Sequence, residues 1–452
     1  MVTEKILQDP QVQIEHSTKM IGEKLFALMD HHSPSIFNIA YWSRFFMALT
    51  TRDPDLKKGL FKLVTVLPSL NRARDVVDHA CQYLNPTLKR LGIPRLPGPR
   101  NPLKYIVSLG VKTGVRTVAG QFIAGADAES ARKKLFKIRS NGYAFTVDML
   151  GEYSVSEAEC LHYLNRYLDA IKWLGTNKSR FKTPGRVSGH DADKTPLNIS
   201  VKLSALYPGV HALNIQSAIS VVSERLETIV QAAKKNQVDI YIDAEDTVTN
   251  QMVYPVFKTV FGKHRDMVPG IVVQGYAKGA SGVIEDLLAF SKLRGNRIAI
   301  RLVKGAYWDS ETGRAAEYRQ PSPLFSHKTS SDFNYEALTS RLLESVDLCI
   351  PAFASHNIRS LAHAMACAES LRLSPQQFEF QMLYGMADEI AAAVSELGYL
   401  VRIYTPLGDA VSGMGYLVRR LIENTSNEGF LRHSVIDKDS AAALLDKPRN
   451  LG

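Results

Sequence analysis

The residues able to do chemistry in this chain stand where short apolar runs end. Lys202, Asp243, Gln274, Arg301, Lys304, Gln381 and Tyr404 each close such a run, as do Asp148 with Glu152 and His356 with Asn357. A second group follows Tyr404, where Tyr416, Arg420, Glu423 and Asn427 fall at i, i+4, i+7 and i+11 and share one helix face beside Arg419. As a bare pattern that face is more often an ordinary solvated surface. The set is rich in cations and amides and poor in nucleophiles. There is no GxSxG elbow, no HExxH and no GxxxxGK[ST] phosphate loop, and GMGYLVRR carries two glycines of a dinucleotide fingerprint in the wrong place, after the last strand. Many cations with few nucleophiles suit an anionic ligand whose chemistry a cofactor carries. A carboxylate would use Arg419 or Arg420 bidentately with Lys202. A pyrophosphate would use Lys304 and the 326–330 loop.

Eight runs read as strands: YAFTVDML (143–150), NISVKLSAL (198–206), DIYIDAED (239–246), GIVVQGY (270–276), RIAIRLVKG (297–305), PAFASHN (351–357), FEFQMLYG (378–385) and LVRIYTPLG (400–408). Helical stretches separate them, so the expected fold is a closed (βα)8 TIM-like barrel, with a doubly wound open sheet as fallback. In a barrel the C-terminal strand ends form the active face, where the polar groups fall. The last run is expected to turn at Pro406 and Gly408 into the helix carrying Tyr416 to Asn427. Two long loops are expected, 177–197 on the far face and 307–332 overhanging the active face. Residues 1–140 read as a helical arm or cap, punctuated by prolines at 54, 68, 86, 94, 97, 99 and 102. The expected division is 1–140 arm, 141–435 barrel and 436–452 tail.

The formal net charge is +10, and between Arg100 and Ser140 nine Lys/Arg face two acids. That stripe is a solvated helical surface or a docking face for an anionic membrane, where each nearby cation adds about 1 kcal/mol. Cys81, Cys160, Cys349 and Cys367 form no CxxC, which indicates neither a disulfide framework nor a metal site and fits a reducing compartment. The N-terminal MVTEKILQDPQVQ has no apolar h-region, and no apolar run reaches membrane-spanning length. The expected location is cytoplasmic, peripheral on the inner face of the membrane.

The ordered motifs ISVKLSAL, DAED, VVQGYAK, RLVKGAYWD, FASHN, FQMLYGM, RIYTPLG and YLVRRLIENTSN resemble the proline dehydrogenase domain of the bacterial proline utilisation A flavoenzymes. The resemblance covers roughly residues 140–430, and the helical arm is also similar. It implies a distorted (βα)8 barrel, noncovalent FAD, and oxidation of L-proline to Δ1-pyrroline-5-carboxylate by hydride transfer to flavin N5, with electrons passed to membrane quinone. It also implies that Arg419, Arg420 and Lys202 hold the proline carboxylate, that Tyr416, Tyr404 and Tyr307 shape the substrate pocket, and that Arg301 reaches flavin N5. Asp243, Ala244, Gln274, Val303, Lys304, Gly305, Ala306, Trp308, His356, Asn357, Gln381, Glu423 and Ser426 match positions lining FAD. Glu152 matches a carboxylate that pairs with Arg419 to close the site. Two stretches depart from the family pattern: Ser355 precedes His356-Asn357 where the family has Thr, and Leu324-Phe325-Ser326-His327-Lys328 replaces VYTRK. Ser326, His327, Lys328 and Ser355 are still expected on the cofactor side.

The chain stops at Gly452, whereas the bifunctional proteins continue into a pyrroline-5-carboxylate dehydrogenase half. The expectation is a stand-alone enzyme or one part of a longer chain, with such a dehydrogenase as partner. Two other readings compete: a Schiff-base aldolase or lyase using Lys202 or Lys304, and a basic nucleic-acid-binding protein using the 100–140 stripe. The stripe lacks interleaved aromatics, so no nucleic acid is expected.

Overall fold

The computed structural model describes residues 10–32, 54–70, 72–90, 92, 94–151, 153–181, 186–187, 190–191, 197–386, 388–408 and 441–451. Eight parallel strands close into a barrel: β1 (Ala144–Met149), β2 (Leu197–Val201), β3 (Val238–Ile242), β4 (Gly270–Gln274), β5 (Ile298–Val303), β6 (Cys349–Ala354), β7 (Glu379–Leu383) and β8 (Val401–Leu407). Each strand pairs with its sequence neighbours, and β1 closes the ring on β8. All eight expected strands are present.

Alternation along each strand sorts the side chains into two environments. Phe145, Val147, Ile199, Val201, Ile240, Ile242, Ile271, Val273, Ile300, Leu302, Phe353, Phe380, Val401 and Ile403 belong to the continuous apolar core that also takes in the surrounding helices. The intervening residues fill the barrel, and many are polar: Thr146, Asp148, Asn198, Ser200, Asp243, Gln274, Arg301, Glu379, Gln381 and Arg402 are all buried. Polar groups therefore run the full depth of the barrel, where the sequence pattern indicates only its C-terminal end.

Before the barrel come α1 (Pro10–His31), α2 (Pro54–Val66), α3 (Ala73–Arg90), α4 (Lys104–Phe122) and α5 (Arg132–Ser140). Helix α3 runs through Pro86 rather than ending there. Its neighbour Asn85 clips the chain beyond the helix, accepting from Leu96 N at 2.7 Å and donating to Leu96 O at 3.3 Å. The α6 helix (Glu157–Asn177), α7 (Ile215–Asn236), α8 (Thr247–Phe261), α9 (Ala280–Arg294), α10 (Trp308–Glu317), α11 (Lys328–Leu343), α12 (Ile358–Ser370) and α13 (Asp388–Glu396) follow successive strands. Helix α1 lies against α12 and α13, burying Leu25, Phe26 and Met29. Arg359 locks it there, with Nη2 2.7 Å from Glu15 Oε2 and Nε 2.8 Å from Glu336 Oε1.

Two expectations change. The stretch 307–332 is not a bare loop, because α10 occupies 308–317 and α11 begins at Lys328. The last strand does not end at Pro406 but runs through it to Leu407. Pairing of β8 with β7 stops at Tyr404, so the missing proline N–H falls beyond β7's reach, while the Pro406 carbonyl accepts from Ala124 N at 2.9 Å. Far from the active face, Phe181 at the start of the 177–197 stretch is buried against Phe145 and Phe136.

Candidate functional site

Four charged residues from four strands meet at the C-terminal mouth. Asp148 is the fifth residue of β1, Lys202 and Asp243 follow the last residues of β2 and β3, and Arg301 lies within β5. Lys202 Nζ donates to Asp148 Oδ1, and to Asp243 Oδ2 and Tyr404 OH at 3.2 Å each. Tyr404 donates to Asp243 Oδ2 at 2.7 Å, and Arg301 Nη1 donates to Asp243 Oδ1 at 2.8 Å and to Ser200 Oγ at 3.1 Å. Two cations balance two carboxylates. Burial pushes the Asp148 carboxyl above its usual range despite Lys202, with the Asp243 charge adding to the rise. Burial works on Asp243 in the same direction, but Lys202 and Arg301 hold its carboxyl below the usual range. Burial beside two carboxylates raises the Tyr404 phenol well above its ordinary value.

Arg301 is clamped rather than loose. Its guanidinium carbon lies 4.2 Å from the Tyr241 ring centroid and 5.1 Å from that of Tyr404. Gly270 makes room for this arrangement, since a Cβ there would fall 2.2 Å from the Tyr241 ring. Nε and Nη2 of Arg301 are buried and without a hydrogen-bond partner among the described residues, as is Gln381 Oε1. Buried donors and acceptors are ordinarily paired. These orphaned atoms fit a polar heterocycle seated in the mouth.

A second cluster borders the first. Lys304 pairs with Asp332 Oδ1, and Lys328 Nζ lies 3.1 Å from Asp332 Oδ2. Burial lowers the Lys304 ammonium, and Lys304 and Lys328 together pull the Asp332 carboxyl down against burial. Both lysines stand near the N-terminus of α11, where unpaired backbone N–H groups favour anions. Gly305 needs to be glycine: its φ is +130°, and a Cβ would fall 2.5 Å from the Tyr276 ring.

Helix α10 is clipped over the rim by Glu311, which is buried. Tyr276 OH donates to Glu311 Oε1 at 3.0 Å and Thr247 hydrogen-bonds Oε2. Trp308, 42% exposed, is no part of the barrel core; its Nε1 donates to Phe325 O at 3.1 Å. Tyr307 stands at the N-cap position of α10, and Ser326 and His327 are exposed just before α11. His356 Nε2 accepts from Leu383 N at 3.1 Å. Asn357 caps α12 by accepting from Ser360 N at 2.9 Å, and Ser355 Oγ accepts from Asn357 N at 3.1 Å. Those contacts are structural in kind. Ala244 and Val303 are half-buried on the rim, and Ala306 is exposed. Glu152, Tyr416, Arg419, Arg420, Glu423 and Ser426 lie outside the described residues, and so does any Glu152–Arg419 contact.

Three arrangements are not evident from the sequence: the pairing of Asp148 with Lys202, the Glu379–Arg402 pair and the Glu311 clip. Inward strand parity carries the signal for Glu379 and Arg402, which share it with Gln381 and Tyr404. Among the described residues no group of His, Cys, Asp and Glu could hold a metal, and no helix is long and apolar enough to cross a membrane.

Fold and mouth thus define a (βα)8-barrel protein with a buried, charge-balanced C-terminal face. The family described as proline dehydrogenase matches residues 131–433, and the proline utilization A N-terminal domain matches residues 15–122. The chain belongs to the proline dehydrogenase family. Bifunctional protein PutA of Klebsiella aerogenes is 31% identical over 339 residues, covering 72% of this chain and 25% of its own length. Proline dehydrogenase 2 of Bacillus subtilis (strain 168) is 29% identical over 317 residues, covering 70% of this chain and 90% of its own. The crystal structure of proline utilization A from Bdellovibrio bacteriovorus inactivated by N-propargylglycine superposes with a TM-score of 0.86 at 33% identity, covering 96% of this chain and 44% of that one. The region matched in the Klebsiella aerogenes bifunctional relative is thus a quarter of that protein's length.

Proposed function

We propose that this chain is an FAD-dependent dehydrogenase that oxidises L-proline to Δ1-pyrroline-5-carboxylate and passes the electrons to a membrane quinone. One observation carries the reading: Arg301, 3% exposed and clamped by Asp243, Ser200 and Tyr241, keeps Nε and Nη2 without a partner among the described residues. A buried guanidinium edge calls for an acceptor, and within a proline dehydrogenase family member a flavin ring is the acceptor that fits. When bound, without a covalent link, FAD supplies at N5 a two-electron acceptor for the hydride of the proline carbon beside nitrogen.

The chain's own residues then position the substrate. Arg419 and Arg420 grip the carboxylate, and Tyr404 and Tyr416 wall the ring. A carboxylate arriving at Lys202 competes with Asp148 and Asp243, which already hold that ammonium. The arginine pair therefore does most of the gripping. Lys304, Lys328 and the first N–H groups of α11 take the cofactor's pyrophosphate. Glu152 closes the site on Arg419. Catalysis is mainly positioning, since no nucleophile is required.

Helix α4 supplies a face for the quinone's membrane. Leu103, Ile106 and Leu109 recur every third residue and are 50%, 68% and 67% exposed, with Arg100, Lys104 and Lys112 nearby in sequence. Two of the stripe's nine cations turn inward instead: Arg139 is buried and Lys134 Nζ donates to Gly120 O and Ile123 O at 3.2 Å. The product passes to a pyrroline-5-carboxylate dehydrogenase on the same or another chain. An absorption spectrum of the purified protein, followed by anaerobic addition of L-proline, tests the reading. Flavin bands that bleach are expected; a colourless protein, or a yellow one that stays oxidised, overturns it.

A further inference from the structure

Below the mouth, Glu379 and Arg402 form a fork-to-fork pair inside the barrel. Arg402 Nε donates to Glu379 Oε1 at 2.8 Å and Nη2 to Oε2 at 3.0 Å, while Nη1 donates to Phe145 O at 3.1 Å. Gln381 joins them, its Nε2 donating to Glu379 Oε1 at 2.6 Å. All three are buried. Burial alone would raise the Glu379 carboxyl, yet Arg402 and the Gln381 amide bring it below its usual range. It is an ionised carboxylate, which only accepts. Inverting the Gln381 amide would set its oxygen against that carboxylate, so the nitrogen end must face Glu379. The oxygen end, buried and unpartnered among the described residues, is left as an obligatory acceptor.

Gln274 is fixed in the opposite sense. Asn250 Oδ1 accepts from Glu245 N at 2.9 Å and its Nδ2 donates to Glu245 O at 3.0 Å, so backbone groups that cannot invert orient this side chain. Asn250 Nδ2 also donates to Gln274 Oε1 at 3.0 Å, which leaves the Gln274 nitrogen as the donor. In strand register Gln274 pairs with Val303, Val303 with Ala354, and Ala354 with Gln381. One inward row of the barrel thus carries a donor of fixed polarity at one end and an acceptor of fixed polarity at the other.

We propose that Glu379, clamped by Arg402, is a positioning residue that holds the Gln381 amide with its oxygen turned to accept a hydrogen bond from the bound flavin nucleotide. The inference rests on the flavin reading above and adds to it the polarity of the contact and the pair of residues that sets it. Oxidised flavin carries a single ring N–H, the imide, and an obligatory acceptor beside the ring selects it. Glu379 itself need not touch the cofactor.

The test is FAD titration of the purified full chain after removal of bound flavin, followed by fluorescence. Gln381→Leu and Glu379→Gln should each weaken FAD about tenfold, the effect of one lost hydrogen bond. The double variant should bind no more weakly than either single one, because Glu379 acts through Gln381. Losses that multiply would mean that Glu379 only supports the fold, and overturn the proposal. Should Glu379→Gln fail to fold, Gln381→Leu decides alone, and an unchanged FAD Kd overturns the proposal. N3-methyl-FAD gives a second readout: the wild type should bind it at least tenfold more weakly than FAD, with the difference lost in Gln381→Leu. Equal binding of the two flavins by the wild type counts against the inference. If the wild type binds no FAD at all, the flavin reading itself falls, a different result from FAD bound equally by wild type and variants.

Discussion

Lys202 and Asp148 form an ion pair sealed inside the barrel mouth, the lysine 6% and the aspartate 0% exposed. Removing one member of a buried pair leaves the other charge poorly compensated, at a cost of about 3–5 kcal/mol. Asp243 still holds Lys202 from the other side, so Asp148→Ala should fall at the low end, about 3 kcal/mol in urea unfolding. Lys202→Met should cost more, because it strands Asp148 and leaves Asp243 to Arg301 and Tyr404. The double variant should be less destabilised than the sum of the two single variants. Additive losses would show that the pair is not coupled.

Arg301 combines two roles that substitution can separate. Lysine in its place can keep a charge near Asp243 but lacks the Nε and Nη2 donors that have no partner among the described residues. Arg301→Lys should therefore fold with a stability within about 1 kcal/mol of the wild type while binding FAD at least tenfold more weakly. The check is FAD retention on dilution together with the thermal midpoint. A variant that keeps its flavin would remove Arg301 from the cofactor's contacts.

Gly270 is a more distant lever on the same guanidinium. Its added Cβ would overlap the Tyr241 ring, on which Arg301 stacks. Gly270→Ala should destabilise by about 1–3 kcal/mol through overpacking and weaken FAD binding by displacing Arg301. Loss of stability with FAD affinity intact would show that the Tyr241 ring does not position the arginine.

The parts of this design that were legible in the sequence are those whose signal is local. Each strand announced itself by outward apolar residues such as Ile199 and Val201, and the mouth by polar groups at strand ends such as Lys202, Asp243 and Gln274. Glu379 and Arg402 were not legible, because they lie 23 residues apart and meet only through a register that pairs Arg402 with Gln381. Helix α10 was hidden for another reason. Its sequence WDSETGRAAE buries only Glu311 and Ala315, so it lacks an apolar period, and its hold on the rim is a polar clip to Tyr276 and Thr247. Pro406 read as a turn because proline usually ends pairing, an inference that fails where β7 has already stopped.

Helix α4 gives a prediction independent of the barrel. Ile106, 68% exposed between Leu103 and Leu109, should insert at a bilayer surface, where burying an isoleucine side chain contributes about 1.5–3 kcal/mol. Ile106→Glu should reduce binding to vesicles of mixed phosphatidylcholine and phosphatidylglycerol at least tenfold. Wild-type binding should weaken with added salt as the basic residues are screened. Dichlorophenolindophenol reduction in solution, which needs no membrane, should be unchanged in the variant. Equal vesicle binding by wild type and variant would rule out this face as the docking surface.

Near the N-terminal end of β3, Asp239 ties stability to pH. It is half-buried, and burial pushes its carboxyl up to about 6, with the Glu379 charge adding to the rise and Arg402 opposing it. An unfolded-chain aspartate titrates near about 3.9. The folded state therefore binds this proton more tightly than the unfolded one. The contribution is fully present below about pH 4 and is lost as pH rises through about 6. A rise of that size corresponds to about 3 kcal/mol at most, and partial solvent access reduces that to about 1–2 kcal/mol. Asp239→Asn, which stays neutral, should match the wild type in urea unfolding at pH 4 and exceed it by about that amount at pH 7. The remaining carboxylates give both proteins the same acid-side slope, so the difference between them isolates Asp239. A stability difference that stays flat across pH 4–7 would mean that the Asp239 carboxyl titrates in the folded barrel as it does in the open chain, with Arg402 fully offsetting its burial.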